Sequence, residues 1–453
     1  MTTATERRGW IEHWDPEDEG FWASTGRKIA NRNLWFSILT EHIGFSIWSL
    51  MSVMVLFMGT PYHISAGDKF LLTSAATLVG SGMRIPYNFA VAKFGGRNWT
   101  IISALLLLIP TITAAFVMKP GTSFGVFLVL AILCGFGGGN FASSMTNINT
   151  FFPEKAKGMA LGLNAGGGNL GVAVVQLVGL LIIATAGTSA PRIMLAVYIP
   201  LVVIAAACAA LFMDNISSVR NDRKGMREVM KDAHCWVMSF LYIGTFGSFI
   251  GYSFAFGLVL QNQFGRTPLQ AAAVTFLGPL LGSLSRPAGG WLADRIGGGK
   301  VTFWNFVGMA VMTVLLVIAS DVKSLGLFTT AFVVLFVLTG VGNGSTYKMI
   351  PSIFKAKARA AIAAGADETA ELLRARKLSG ALIGLAGAIG AFGGVLINVA
   401  FRQAFSAAKS GVPAFVGFLV FYGLCFVVTW VVYLRKSAAP VSEKGLALAG
   451  AQV

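Results

Sequence analysis

The sequence predicts an all-α membrane protein of twelve transmembrane helices, arranged as two six-helix halves. Three observations predict it. Apolar runs of membrane-crossing length recur along the whole chain, basic residues collect on alternate connections between them, and residues of the first half return in the second at a nearly fixed offset. Hydrophobic residues make up 55% of the 453 positions and charged residues only 12%, with a mean hydropathy of +0.71. A water-soluble domain carries about a quarter charged residues. Runs of about twenty apolar residues match the ~30 Å of bilayer hydrocarbon, and a β-barrel would alternate instead.

The elements follow in order. The first span, 36–58, comes after a polar, acid-rich segment (1–35) that holds Arg7, Arg8, Arg27, Lys28 and Arg32. With no cleavable leader pattern in that segment, the first span is expected to act as the targeting signal. Spans 69–93 and 100–118 are separated by Lys93 and Arg97, and spans 122–149 and 158–186 by Lys155 and Lys157. Spans 192–213 and 235–260 flank the longest basic connection, "SSVRNDRKGMREVMKDAH", which makes 214–234 a linker between the halves 36–213 and 235–434. Spans 268–292 and 301–319 are separated by Arg295 and Lys300, and spans 324–350 and 378–402 by cations from Lys355 to Lys377. The last span, 413–434, runs into a tail (435–453) with Arg435, Lys436 and Lys444. The opposite connections hold only Lys69, Lys119, Arg192, Arg266, Lys323, Arg402 and Lys409. Roughly 25 cations against 7 place both termini in the cytoplasm. The Ala-rich, charged stretch 355–377 is expected to form a short cytoplasmic helix of its own.

That distribution also explains the net charge of +16 without nucleic acid as a partner. Cys134, Cys208, Cys235 and Cys425 fall in or beside apolar spans without metal-ligand spacing, so buried packing is expected and no metal or cofactor. No nucleophile–base pair lies within the spans, which speaks against an enzyme, and the short loops leave no room for the output domain of a sensor.

Leu78, Gly80, Ser81 and Arg84 return 202 residues later as Leu280, Gly282, Ser283 and Arg286, and Gly95-Gly96 returns as Gly297-Gly298. Gly162, Leu163, Gly168 and Gly171 return at an offset of 222 as Gly384, Leu385, Gly390 and Gly393, the twenty extra residues falling in 355–377. Six-span repeats mark transporters with the cargo site between the halves at the midplane. "GGWLADRIGGGK" (289–300) resembles the G-x-L-a-D-R-x-G loop of the major facilitator superfamily, which implies that fold.

Arg84 and Arg286 each lie eleven residues before their glycine turn. At ~1.5 Å per residue that is about 16 Å, half the hydrocarbon thickness. A charge there costs at least ~2.5–3.5 kcal/mol and calls for a polar cavity and a partner. Glu41 is the one carboxylate within the spans; Asp214, Asp294 and Asp321 lie at their edges. One positive charge is left over, which points to an anionic cargo, although a structural ion pair remains the alternative. Arginine's planar fork suits a planar oxyanion.

Stretches 134–153, 160–177, 339–349 and 379–398 are dense in small residues that let helices pack closely and slide. Asn140, Asn147, Asn164 and Asn169 bring amides that demand partners in hydrocarbon. Tyr252 and Phe256, four apart, share a helix face, and Phe141 lies in a glycine-rich span. Flat rings beside a flat anion would exclude water.

These residues, with "WDPEDEGFW…GRKIANRNLW" (14–35), "CGFGGGNFASSM", "AGGGNLG" (165–171) and "GLAGAIGAFGG" (384–394), resemble the bacterial nitrate/nitrite porter family over nearly the whole chain. The two glycine stretches correspond to that family's signature motifs, and the first departs mildly from it at Gly167 and Leu170. The resemblance implies Arg84 and Arg286 as substrate arginines, with Phe141, Tyr252 and Phe256 as an aromatic cage. It further implies polar contacts from Asn164 and Asn169, and sliding helices at Gly166, Gly168, Gly171, Gly387, Gly390 and Gly393. The implied activity is nitrate uptake with nitrite extrusion across the cytoplasmic membrane, by a monomer in the bilayer with nitrate and nitrite as its only partners. Glu41 and His42, about 10 Å inside the membrane, are a departure. A buried carboxylate beside a histidine can carry a proton near neutral pH, so proton-coupled nitrate symport stands as the alternative to exchange, beside carriage of another small anion or an anion channel.

Overall fold

The computed structural model describes residues 9–219 and 223–435. Twelve long helical rods run α1 (Glu19–Phe57), α2 (Ala66–Phe94), α3 (Gly96–Val117), α4 (Phe124–Phe151), α5 (Glu154–Ala186), α6 (Arg192–Phe212), α7 (Ala233–Phe264), α8 (Pro268–Ile296), α9 (Gly298–Asp321), α10 (Leu325–Ala363), α11 (Glu368–Ala408) and α12 (Val412–Leu434). All but α2 are both long and apolar enough to cross a membrane by composition. The exception is as long as the others, but it turns Thr73, Ser74, Thr77, Ser81 and Arg84 into the protein interior, which lowers its hydropathy.

Local chemistry sets the helix ends. Ser65, Thr267, Ser324 and Asp367 each accept a bond from the backbone amide three residues on, starting α2, α8, α10 and α11. Gly95 and Gly297, at φ +89° and +95°, end α2 and α8 in a backbone conformation that favours glycine. The repeat read from the sequence is therefore a repeat of caps and turns as well. The two halves share a layout: α1 and α7 are buried over most of their length, whereas α3, α6, α9 and α12 stand at the periphery with apolar side chains such as Val203, Leu211, Trp304 and Val420 exposed.

The chain beyond the spans is more ordered than its polarity suggests. Trp10–Ile11 pairs in parallel with Asn215–Ile216, so both ends of the first half meet on one face of the bundle, called here the linker face. Trp14 donates to Thr150 O at 3.1 Å and packs edge-on against Phe151, while Trp22 meets Phe152. Arg32 and Asn33 both reach Asp214, at 2.6 and 2.8 Å. Lys155 lies 2.9 Å from Glu19 and holds that carboxyl below the usual carboxylate range. The stretch 355–377 does not form a separate helix. Its alanines extend α10 to Ala363, Gly365 at φ +97° makes the turn, and α11 restarts at Glu368.

The halves close on each other at the face opposite the linker. Thr73 donates to Asn398 Oδ1 at 2.9 Å, and Phe70 stacks on Phe401 and Phe405 at 5.8 and 5.5 Å. Gln176 donates to Ser253 O at 2.8 Å, and Trp48 meets Phe254 edge-on.

Candidate functional site

Arg84 projects from the polar stripe of α2 into the space between the halves. Gly80, one turn earlier, makes room for Trp48, whose Nε1 donates to Ala76 O at 2.9 Å. Trp48 thereby lies 5.3 Å from the Arg84 guanidinium, with Phe141 at 4.5 Å, Phe246 at 4.9 Å and Phe45 at 5.9 Å. Ring faces are electron-rich, so this wall attracts the cation without discharging it. Nη1 donates across the interface to Gly387 O at 2.8 Å, and Nε and Nη2 have no protein partner. The side chain is 1% exposed, so those donors await something other than bulk water.

Arg286 is the counterpart in α8. Its guanidinium lies 5.0 Å from the Tyr347 ring, Nη2 makes a long contact of 3.4 Å to Tyr242 Oη, and Nη1 is buried without a partner. Tyr242 lies 5.0 Å from Tyr347 and stacks on Phe246 at 5.2 Å. One ring wall thus runs from Arg84 through Phe246 and Tyr242 to Arg286. Among the described residues no carboxylate lies within ion-pair distance of either arginine.

Glu41 is fully buried on α1. Ser144 Oγ and Asn164 Nδ2, the latter at 2.6 Å, both donate to its Oε2, and Oε1 has no partner. His42 does not reach it; its Nδ1 meets Gly167 O at 3.0 Å and ties α1 to α5. A cavity of about 280 Å³ extends from Arg84, Phe141 and Tyr347 past Asn88 to Arg376 and Lys377 at the linker face. With the opposite face sealed, this is an arrangement open toward the linker.

The chain is similar in sequence to known proteins. The family model of the Major Facilitator Superfamily aligns with residues 34–373. The nitrate/nitrite transporter NarU of Salmonella typhimurium is 38% identical, over 94% of this chain and 96% of its own. NarU of Escherichia coli has the same identity and coverage, and the probable nitrate/nitrite antiporter NarK2 of Thermus thermophilus is 32% identical over 95% and 97%. The chain belongs to the nitrate/nitrite porter family of the major facilitator superfamily.

In this porter the structure brings together only some of the residues singled out by sequence. Phe141 stands against Arg84, but Tyr252 and Phe256 do not join it. Tyr252 Oη meets Tyr422 Oη at 2.5 Å, and its ring packs with Phe332, Phe336 and Phe418. Phe256 stacks on Phe332 at 4.2 Å. Both fill the core of the second half. The rings at the arginines are Tyr242 and Phe246, also four apart but ten residues earlier, beside a π-helical turn at Ile243–Gly247. A spacing of four places two rings on one helix face but does not say which face meets the arginines. The repeat offset of 202 falls one residue away from Tyr242 and Phe246, mapping Glu41 and Phe45 to Ile243 and Gly247.

Asn164 serves Glu41, not an arginine, whereas both amide atoms of Asn169 are buried and unpartnered. Asn140 and Asn147 likewise each bury one unpartnered amide atom. The signature glycines fall into distinct classes. A Cβ at Gly168 would strike Glu41, and one at Gly171 the backbone of His42. At Gly390 and Gly393 it would strike Tyr242 and Gly247 of α7. Gly387 faces Arg84, Phe141 and Tyr347, and Gly166 faces open space, so no helix contact there requires glycine.

Proposed function

We propose that this porter exchanges nitrate for nitrite across the bacterial cytoplasmic membrane by alternating access, as a monomer in the bilayer with its linker face and both termini in the cytoplasm. One observation carries the reading: two buried guanidiniums, from equivalent places in the two halves, keep unpartnered donors, and among the described residues no carboxylate is in ion-pair contact with either. In this reading Arg84 and Arg286 bind the anion through their planar forks, and Phe141, Phe246 and the two tyrosines exclude water, which strengthens every charge interaction in the site. The paired cations repel each other when empty. Bound anion relieves that repulsion, so the loaded porter changes face more readily than the empty one, which yields one-for-one exchange. Glycines such as Gly171 and Gly390 keep α5 on α1 and α11 on α7 close enough to move as packed surfaces.

Proteoliposomes test it. Labelled nitrate outside should enter only when nitrite or nitrate is inside, and it should saturate. Flux that rises linearly with concentration and ignores internal anion would instead describe a channel.

A specific observation favours a second reading, proton-coupled entry. Glu41 is an ionisable group with one unpartnered oxygen in the same interior, in electrostatic reach of both arginines. A proton there raises the net charge facing the cargo by one and so draws an anion in. Uptake into anion-free vesicles driven by external acid, and lost in Glu41→Gln, would support symport. Uptake that needs internal nitrite at every pH gradient would remove it.

A further inference from the structure

The twenty residues that the second half adds between α10 and α11 are not explained by the central site. As the helical arms 355–363 and 368–377 they stand beyond the spans at the linker face. Their charges are sorted by side. Toward the linker, Lys357 is paired with Asp232 at 2.6 Å and Arg374 with Glu228 at 2.6 Å, so these cations are neutralised. Toward the first half, Arg376 and Lys377 line the mouth of the 280 Å³ cavity whose floor is Arg84. Both are exposed, and among the described residues neither has an acidic partner. Among the described residues no aspartate or glutamate lines that cavity; between mouth and floor it presents neutral groups such as Asn88, Thr146 and Asn149.

We propose that Arg376 and Lys377 form a cytoplasmic recruiting subsite for small inorganic anions, which concentrates them at the cavity mouth and passes them inward to Arg84. The proposal rests on the porter reading above and assigns a role to a part of the chain that reading leaves unused. A cleft lined by one sign of charge focuses its field and raises the local concentration of the opposite ion. The subsite is too exposed to hold an anion tightly, and it acts on capture alone. Its effect is one-sided, because the cavity opens at one face, and it is screened by salt, because the Debye length falls from about 30 Å at 0.01 M to about 3 Å at 1 M.

The test compares vesicles of opposite sidedness carrying the full-length porter, with labelled nitrite as the probe. In inverted vesicles at about 0.01 M ionic strength, Arg376→Gln/Lys377→Gln should raise the half-saturating nitrite concentration about two- to fivefold with the maximal rate unchanged. The shift should largely disappear near 1 M of an inert salt. It should be absent in right-side-out vesicles, and Arg376→Lys/Lys377→Arg should behave as wild type. An unshifted value in inverted vesicles overturns the inference, as does a shift that ignores salt or appears equally on both faces. Wild-type vesicles without exchange would overturn the porter reading and this inference with it; exchange with an unshifted variant overturns this inference alone.

Discussion

Replacing Arg84 separates a cargo ligand from a structural brace. The guanidinium gives one bond to Gly387 O at 2.8 Å and faces four rings, and it keeps two donors unpaired. Arg84→Lys retains the charge but loses the parallel pair of bonds. One charge-assisted hydrogen bond is worth about 1.5–3 kcal/mol, so half-saturation should rise by roughly 10- to 100-fold. Arg84→Gln removes the charge as well, and losing one partner of a buried charge pair costs about 2–5 kcal/mol, at least ~30-fold in affinity. The ligand-free protein should respond differently. A brace would lose the Gly387 bond and the ring contacts, and the glutamine variant would melt lower. An unneutralised buried cation facing a second one carries desolvation and repulsion that offset those contacts, so the empty variant should melt at or above the wild-type temperature. Nitrate at 100 times its Kd stabilises a binder by about 2.7 kcal/mol, which should appear in the wild type and not in Arg84→Gln. The assay pair is counterflow in proteoliposomes and thermal unfolding in detergent with and without nitrate. Wild-type half-saturation in Arg84→Gln, or equal nitrate stabilisation of both proteins, would refute the reasoning.

Further outcomes follow from the same geometry. Tyr242→Phe removes a hydroxyl that meets Arg286, a long contact, so nitrate half-saturation should rise a few-fold, while Tyr252→Phe should leave it unchanged; counterflow kinetics read both. Gly171→Ala should push α5 from the α1 backbone, cost roughly 1–3 kcal/mol and slow exchange, whereas Gly166→Ala faces open space and should be neutral in melting temperature and rate. Asn398→Ala removes bonds to Thr73, Gly251 and Gly394 at the closed face. At about 1 kcal/mol for each neutral bond it should shift the population toward the opposite arrangement, read as faster labelling of a cysteine placed at Thr77, which lies against Gly394, from the side away from the linker.

How much of this was legible in the sequence depends on what kind of information each feature needs. The arginines and their depth could be read because a helix converts residue count into distance, and the glycine turns at Gly95 and Gly297 supply a fixed origin for the count. The wall of rings could not be read the same way. A spacing of four puts Tyr252 and Phe256 on one helix face but does not say which face looks at the arginines, and theirs packs into the second-half core. The stretch 355–377 was misjudged for a different reason: alanine-rich composition reports that a segment is helical, but not whether it prolongs its neighbours.

The internal repeat compares equivalent positions instead of counting turns; it holds at the arginines and slips by one residue at the start of α7. A Cβ at Gly168 would strike Glu41 and one at its repeat partner Gly390 would strike Tyr242, so the carboxylate of the first half stands where the second half has the phenol of Tyr242, beside that of Tyr347. The phenols meet Arg286; the carboxylate turns to Ser144 and Asn164 and leaves Arg84 to the rings. The two halves therefore present arginine alike and surround it differently. In the proton-coupled reading that asymmetry supplies the titrating group on one side of the site only, which is what a proton needs to bias a cycle that the arginines alone would run symmetrically.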